Sequence, residues 1–143
     1  MPNTTIRIIT SNGTHYCVDM TRGQKLLSIP KLYLKAGTHR RTVTNEYLRL
    51  EDGQPAMTVG DNLLRNATIV GVSVNCETAH TWTLKVFAKG SPTPLVILPI
   101  VSNTKAENQL LNQDVPAGSV LLFKAEGTNI PFPRAMLELA WRL

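Results

Sequence analysis

Apolar and polar residues alternate with a period of two along most of this chain, which predicts strands rather than helices. The strongest instance is the run from Ala67 to Ala88, ATIVGVSVNCETAHTWTLKVFA. Val70, Val72 and Val74 share one face of its first half, and Trp82, Leu84 and Val86 share a face of its second. The polar stretch Asn75–His80 between them reads as the turn of a central β-hairpin.

Other runs follow the same rule. Thr5–Thr10 and His15–Met20 flank Asn12-Gly13, a dipeptide that favours the tight turn of a hairpin. A lone hairpin is marginal in water, so this one is expected to dock on the body, a sister subunit or another protein. Val43–Leu50 resumes the alternation, with Val43, Tyr47 and Arg49 opposite Glu46, Leu48 and Leu50. Leu95–Val101 is an apolar strand containing Pro99, which removes a ladder donor and predicts an edge or a bulge. Asn103–Asn108 is polar, and Gln109–Val115 is a short strand candidate. In Ser119–Ala125, Leu121 and Phe123 face one way. In the last run, Pro133–Leu143, the positions Ala135, Leu137, Leu139 and Trp141 alternate with Arg134, Met136, Glu138 and Arg142. The Met, Leu, Glu and Ala there would also suit a helix, but the period of two and the all-β surroundings decide for strand. The predicted core is Val70, Val72, Val74, Trp82, Leu84, Val86, Leu121, Phe123, Leu137, Leu139 and Trp141. Short strands separated by Gly and Pro turns predict an all-β antiparallel sandwich of jelly-roll or Greek-key type.

Between Thr21 and Thr42 the alternation fails. Pro30 breaks a short apolar series at Ile29, Leu32 and Leu34, and this segment reads as an extended arm that packs against a neighbour. The expected division is therefore a basic N-terminal hairpin and arm, residues 1–42, followed by a sandwich body, residues 43–143.

Charge sharpens that division. The total is +5, yet up to Thr42 there are seven basic residues and one acid, Asp19, whereas from Val43 onward eight basic residues face nine acids. An arm for an acidic partner on a near-neutral body is the natural reading. Its candidate contacts are Arg22, Lys25, Lys31, Tyr33, Lys35, Arg40 and Arg41. These residues could also neutralise phosphates, with Tyr33 stacking on a base. They are dispersed and belong to no nucleic-acid module, and the arm's apolar residues need burial as well, so a protein surface is the preferred partner. No run approaches the roughly 18 apolar residues that span a bilayer, so no membrane partner is expected. The start, MPNTTIRIIT, lacks the apolar segment of a secretory signal.

Candidate chemistry is sparse. His15, His39 and His80 lie in three different contexts, without a nucleophile motif near them. His15, Cys17, Cys76 and His80 could supply four zinc ligands, but their spacing matches no finger pattern. Glu51-Asp52 falls in a turn signal rather than across a cleft. Neither an enzyme nor a cofactor or metal is expected.

ATIVGVSVN, HTWTLKVFAKG, LLNQDVPAGSVLLFKAEGT and PRAMLELAWRL together resemble the small β-sandwich domains of tailed-phage virion proteins, capsid decoration (cement) proteins above all. The likeness covers about Tyr47–Leu143. It implies a non-enzymatic virion structural protein, a homotrimer on the capsid surface that clamps the major capsid protein and is made in the host cytoplasm. The alternative is a tail-fibre or baseplate receptor-binding module, whose loops Asn75–His80 and Gly127–Phe132 would contact a glycan.

Overall fold

The computed structural model describes residues 6–11, 14–19, 25–29, 32–38, 41–50 and 62–142, and every regular element in them is a strand. β1 (Ile6–Ser11), β2 (Thr14–Asp19) and β3 (Lys25–Ile29) form a three-stranded antiparallel sheet in that order. The expected hairpin at Asn12-Gly13 thus docks on the chain's own β3, with Cys17 opposite Leu27. β4 (Leu32–Gly37) belongs to the body. Three two-residue strands follow: β5 (Thr42–Val43), β6 (Glu46–Tyr47) and β7 (Arg49–Leu50). The remaining strands are β8 (Ala67–Ala88), β9 (Val96–Asn108), β10 (Gln113–Val115), β11 (Leu121–Glu126), β12 (Ile130–Pro131) and β13 (Arg134–Trp141).

The expected hairpin at Ala67–Ala88 is instead one strand of 22 residues. No residue between Asn75 and His80 takes a left-handed conformation, and none is Gly or Pro, so the polar stretch has nothing with which to turn. Partners run along both edges of β8. On one edge lie β9 and then β10; on the other lie β11 and then β13, all antiparallel. At Cys76–Ala79 the ladder to β9 skips: Asn75 faces Lys105 and His80 faces Asn103. The other edge is interrupted between Glu126 and Arg134. Here the long ribbon changes layer. The inner rows of its two halves meet in one core that holds Val72 and Val74 with Trp82, Leu84 and Val86. Two antiparallel layers that share a strand through an irregularity make a β-sandwich. β11 returns past β8 to the side away from β9, a non-consecutive order of Greek-key kind.

Val72, Val74, Trp82, Leu84, Val86, Leu121, Phe123, Leu137 and Leu139 are buried, and Trp141 packs half-buried against them. Val70 does not join them. Glu138 faces Gly71 and Leu139 faces Ile69, so Val70 is an extra residue opposite the β13 ladder. That bulge reverses the alternation, and Ile69 fills the core where Val70 was expected.

The arm expected up to Thr42 also needs correction. Leu32–Gly37 is a sheet strand between β13 and β7, and Ala36 enters the core. Pro30 marks the passage from one sheet to the other rather than the loss of structure. The boundary placed after Thr42 consequently falls inside β5. The run Val43–Leu50 is broken into three short strands because Asn45 adopts φ 48°. Its N–H donates to Gly127 O at 3.0 Å, and its Oδ1 accepts from Gly127 N–H at 2.9 Å. Pro99 lies in β9, whose only strand partner among the described residues is β8, so the strand is an edge as expected. The polar run Asn103–Asn108 continues β9.

Gly127 sits where this corner is tightest. Its φ is +154°, and a Cβ built on it would stand 2.9 Å from Trp82 Cβ and 3.3 Å from the Ile130 side chain. Gly127→Ala is therefore expected to lower stability by about 1–3 kcal/mol, read as a drop in denaturation midpoint. An unchanged midpoint would show that the corner yields freely.

Candidate functional site

Two outward faces of the body carry its exposed chemistry. The first belongs to the layer of β4, β13, the first half of β8 and the end of β9. Side chains pointing outward from neighbouring strands stand about 4.8 Å apart across the sheet and about 6.6 Å apart along each strand. On β8 the outward positions are small or short: Gly71, Ser73 and Asn75. On β13, beside them, stand Glu138, Met136 and Arg134, each opposite one of the three. On the other side Glu107 faces Ser73, Lys105 faces Asn75, and Gln109 lies beside Gly71.

Short side chains between two rows of long ones make a groove. Three adjoining depressions share Ser73, with volumes near 190, 210 and 360 Å³. Arg134 and Lys105 flank its Asn75 end. Glu138 flanks Gly71, and Glu107 stands midway. Lys35 enters the lining from β4, opposite Met136. Lys35 and Glu138 are both engaged in polar contacts already. Arg134 is exposed and lies across Gly37, its Cγ 3.5 Å from where a Cβ would stand.

The second face is the outside of the other layer. β9 presents Ile97, Pro99 and Val101 to solvent in a row, with Ile97 57% and Val101 72% exposed. Beside them, Thr81 Oγ1 accepts from Ser102 N–H at 2.9 Å. Lys85 Nζ bonds Glu126 Oε2 at 2.7 Å, Lys124 Nζ lies 3.5 Å from Glu126 Oε1, and the same ammonium stands 5.8 Å from the centre of the Tyr47 ring. The hydrogen bond from Lys85, and the charges of both lysines, hold the Glu126 carboxyl below its ordinary range.

Of the seven residues proposed from sequence to meet a partner, the structure brings two together. Tyr33 and Lys35 are exposed on one face of β4, two residues apart. Arg41 is at the other end of the segment, ion-paired with Glu46. Lys25 begins β3, with its backbone opposite Asp19. Arg22, Lys31 and Arg40 lie outside the described residues, as does the Glu51-Asp52 pair. The four zinc candidates fare differently. Cys76 is buried and donates its S–H to Thr78 O at 3.2 Å. His80 Nε2–H donates to Thr128 O at 2.7 Å. His15 and Cys17 stand on β2. Among the described residues no three His, Cys, Asp or Glu side chains gather as metal ligands. The segment Asn75–His80 is not a loop, so it offers no loop tip to a glycan. The groove residues of β8 and β9 escaped the sequence reading because their chemistry appears only when three distant strands are laid side by side.

No family model matches the sequence, and no curated protein matches it. Among solved structures the chain is similar to one described as "CBM4 structure and function", at 9% identity, over 96% of this chain and 79% of that one. The TM-score is 0.33, too low to bear on function.

The depressed Glu126 carboxyl predicts a pH dependence. A carboxylate with a lowered folded pKa adds stability above its unfolded value, about 4.3, and loses it as pH falls through the folded value. Glu126→Gln should therefore melt below the native protein near pH 7, and the gap should close as pH falls below the ordinary carboxylate range. A gap that persists there would remove the lysine pairing as its cause.

Proposed function

We propose that this protein is a non-enzymatic virion structural protein of the capsid-decoration kind, anchored to the major capsid protein by its N-terminal sheet. The observation that carries the reading is the separation of an N-terminal three-stranded sheet from the sheets of the body. Among the described residues β1, β2 and β3 pair only with one another, within the third of the sequence that holds the excess basic charge. The body they are joined to is a rigid sandwich sealed by a single core. A sheet within residues 1–31, which carry four basic residues against the one acid Asp19, suits an anchor for an acidic shell surface, where charge steers the encounter and apolar burial holds it.

The exposed row Ile97, Pro99 and Val101 adds support. It runs along β9, an edge strand whose only strand partner among the described residues is β8, and solvent-facing apolar side chains on such an edge call for a cover. In a trimer, a sister subunit would supply it. Each joint that buries a few hundred Å² of such surface gains several kcal/mol at about 25 cal/mol per Å², and the gain repeats at every copy on a shell. The basic contacts assigned to the anchor become Arg22, Lys25 and Lys31. Tyr33 and Lys35 stand in the body sheet, and Arg41 already has Glu46 for a partner.

The strand assignment of Leu32–Gly37 decides how the proposal is tested. Removing residues 1–42 would take out a body strand and Ala36 of the core, so loss of binding would be uninformative. Removing residues 1–31 leaves β4 in place. That variant is expected to keep the far-ultraviolet signature and melting behaviour of a folded sandwich yet fail to sediment with empty shells of its virus. Co-sedimentation by the shortened protein would overturn the anchoring role.

A further inference from the structure

We propose that the groove along β8 is a binding site for an acidic oligosaccharide, a sugar acid followed by neutral rings. The floor from Gly71 to Asn75 rises over four residues, about 13 Å, the span of two to three pyranose units. Both edges of β8 are taken up by ladders to β9 and β13. A ligand lying on this face therefore finds no free backbone to pair with. An extended peptide would leave its own N–H and C=O groups without a ladder. A sugar has no such requirement, because its hydroxyls are donors and acceptors that match individual side chains.

The charges give the ligand a direction. Arg134 and Lys105 stand on either side of Asn75, on the two neighbouring strands. Both are exposed, and neither is ion-paired among the described residues. Two cations about 10 Å apart across a short polar floor fit a carboxylate set between them. Further along, Glu107 and Glu138 reverse the sign. A second carboxylate there would be repelled, whereas hydroxyls would donate to these acids. Met136, half-buried in the wall opposite Ser73, offers the apolar contact that the C–H face of a ring needs. The ligand class is thus one carboxylate at the Arg134 end and uncharged rings towards Gly71. This inference rests on the groove alone and stands apart from the role of the N-terminal sheet.

The probes are 3′-sialyllactose, which carries one carboxylate and two neutral rings, and lactose, which lacks the acid. Titration into the full-length ¹⁵N-labelled protein should shift the amides of Ser73, Asn75 and Arg134 with the acidic sugar. Lactose should bind at least about tenfold more weakly, the factor expected for losing a charge-assisted contact. The double substitution Arg134→Ala with Lys105→Ala should erase that preference. Ser73→Trp, which fills the floor, should abolish binding of both sugars, with melting curves confirming that each variant is folded. Equal affinity for the two sugars, shifts that map to another face, or no shifts at all would overturn the proposal. Displacement of the bound sugar by sodium sulfate at equal concentration would also overturn it, by showing a site for any anion.

Discussion

One strand bears both layers of this molecule. β8 is paired along both edges in each of its two halves, with a gap only around residues 76–82, so each layer is built outward from it and neither has a centre of its own. That places an unusual demand on its side chains. The inner row must stay inside while the strand passes from one layer to the other. Two irregularities meet the demand. The bulge at Val70 resets the alternation near the start, and the skipped ladder at Cys76–Ala79 takes up the bend. Cys76 remains buried within that bend, extending the apolar row past Val74 before exposed Thr78 and half-buried His80 interrupt it ahead of Trp82.

The corner is then fixed by contacts far apart in sequence. Asn45 and Gly127 exchange two hydrogen bonds, Thr44 Oγ1 accepts from Asn129 N–H at 2.8 Å, and Val43 pairs with Ile130. At the opposite end Arg142 donates to the carbonyls of Ala67 and Val115 and reaches Asp114, whose carboxylate also accepts from the buried Thr68 hydroxyl. The barrier to opening the sandwich therefore lies at its two ends as well as in its core. The flat middle is left free to present the groove and the β9 row.

Strand chemistry was legible in the sequence because burial on one face writes a period of two that no helix shares. Trp82, Leu84, Phe123 and Leu137 were found in this way. The same rule misplaced Val70, since a single bulged residue inverts every side chain before it and leaves no mark in composition. The reading also made a turn of Asn75–His80, where polarity came from exposure at a bend rather than from a change of direction. It lost β4 because Pro30 and the basic residues around it hid a strand whose partner, β13, lies about a hundred residues away. Charge asymmetry identified the basic third correctly, but could not say that part of it is sheet. Arg134, Lys105 and Asn75 meet only through register, which sequence spacing does not reveal.

The placement of β13 has a bearing on how the protein is made. It lies between β8 and β4, so the outer half of that layer is joined to the inner half through a strand that follows β4 by about a hundred residues. Until Trp141 has left the ribosome, β4 and β7 have no inner neighbour, and the apolar faces of β4 and the first half of β8 stand open. Loop closure over such separations is slow. Folding of this layer therefore waits for β13, and the nascent chain before that point is the form most in need of protection from its own copies.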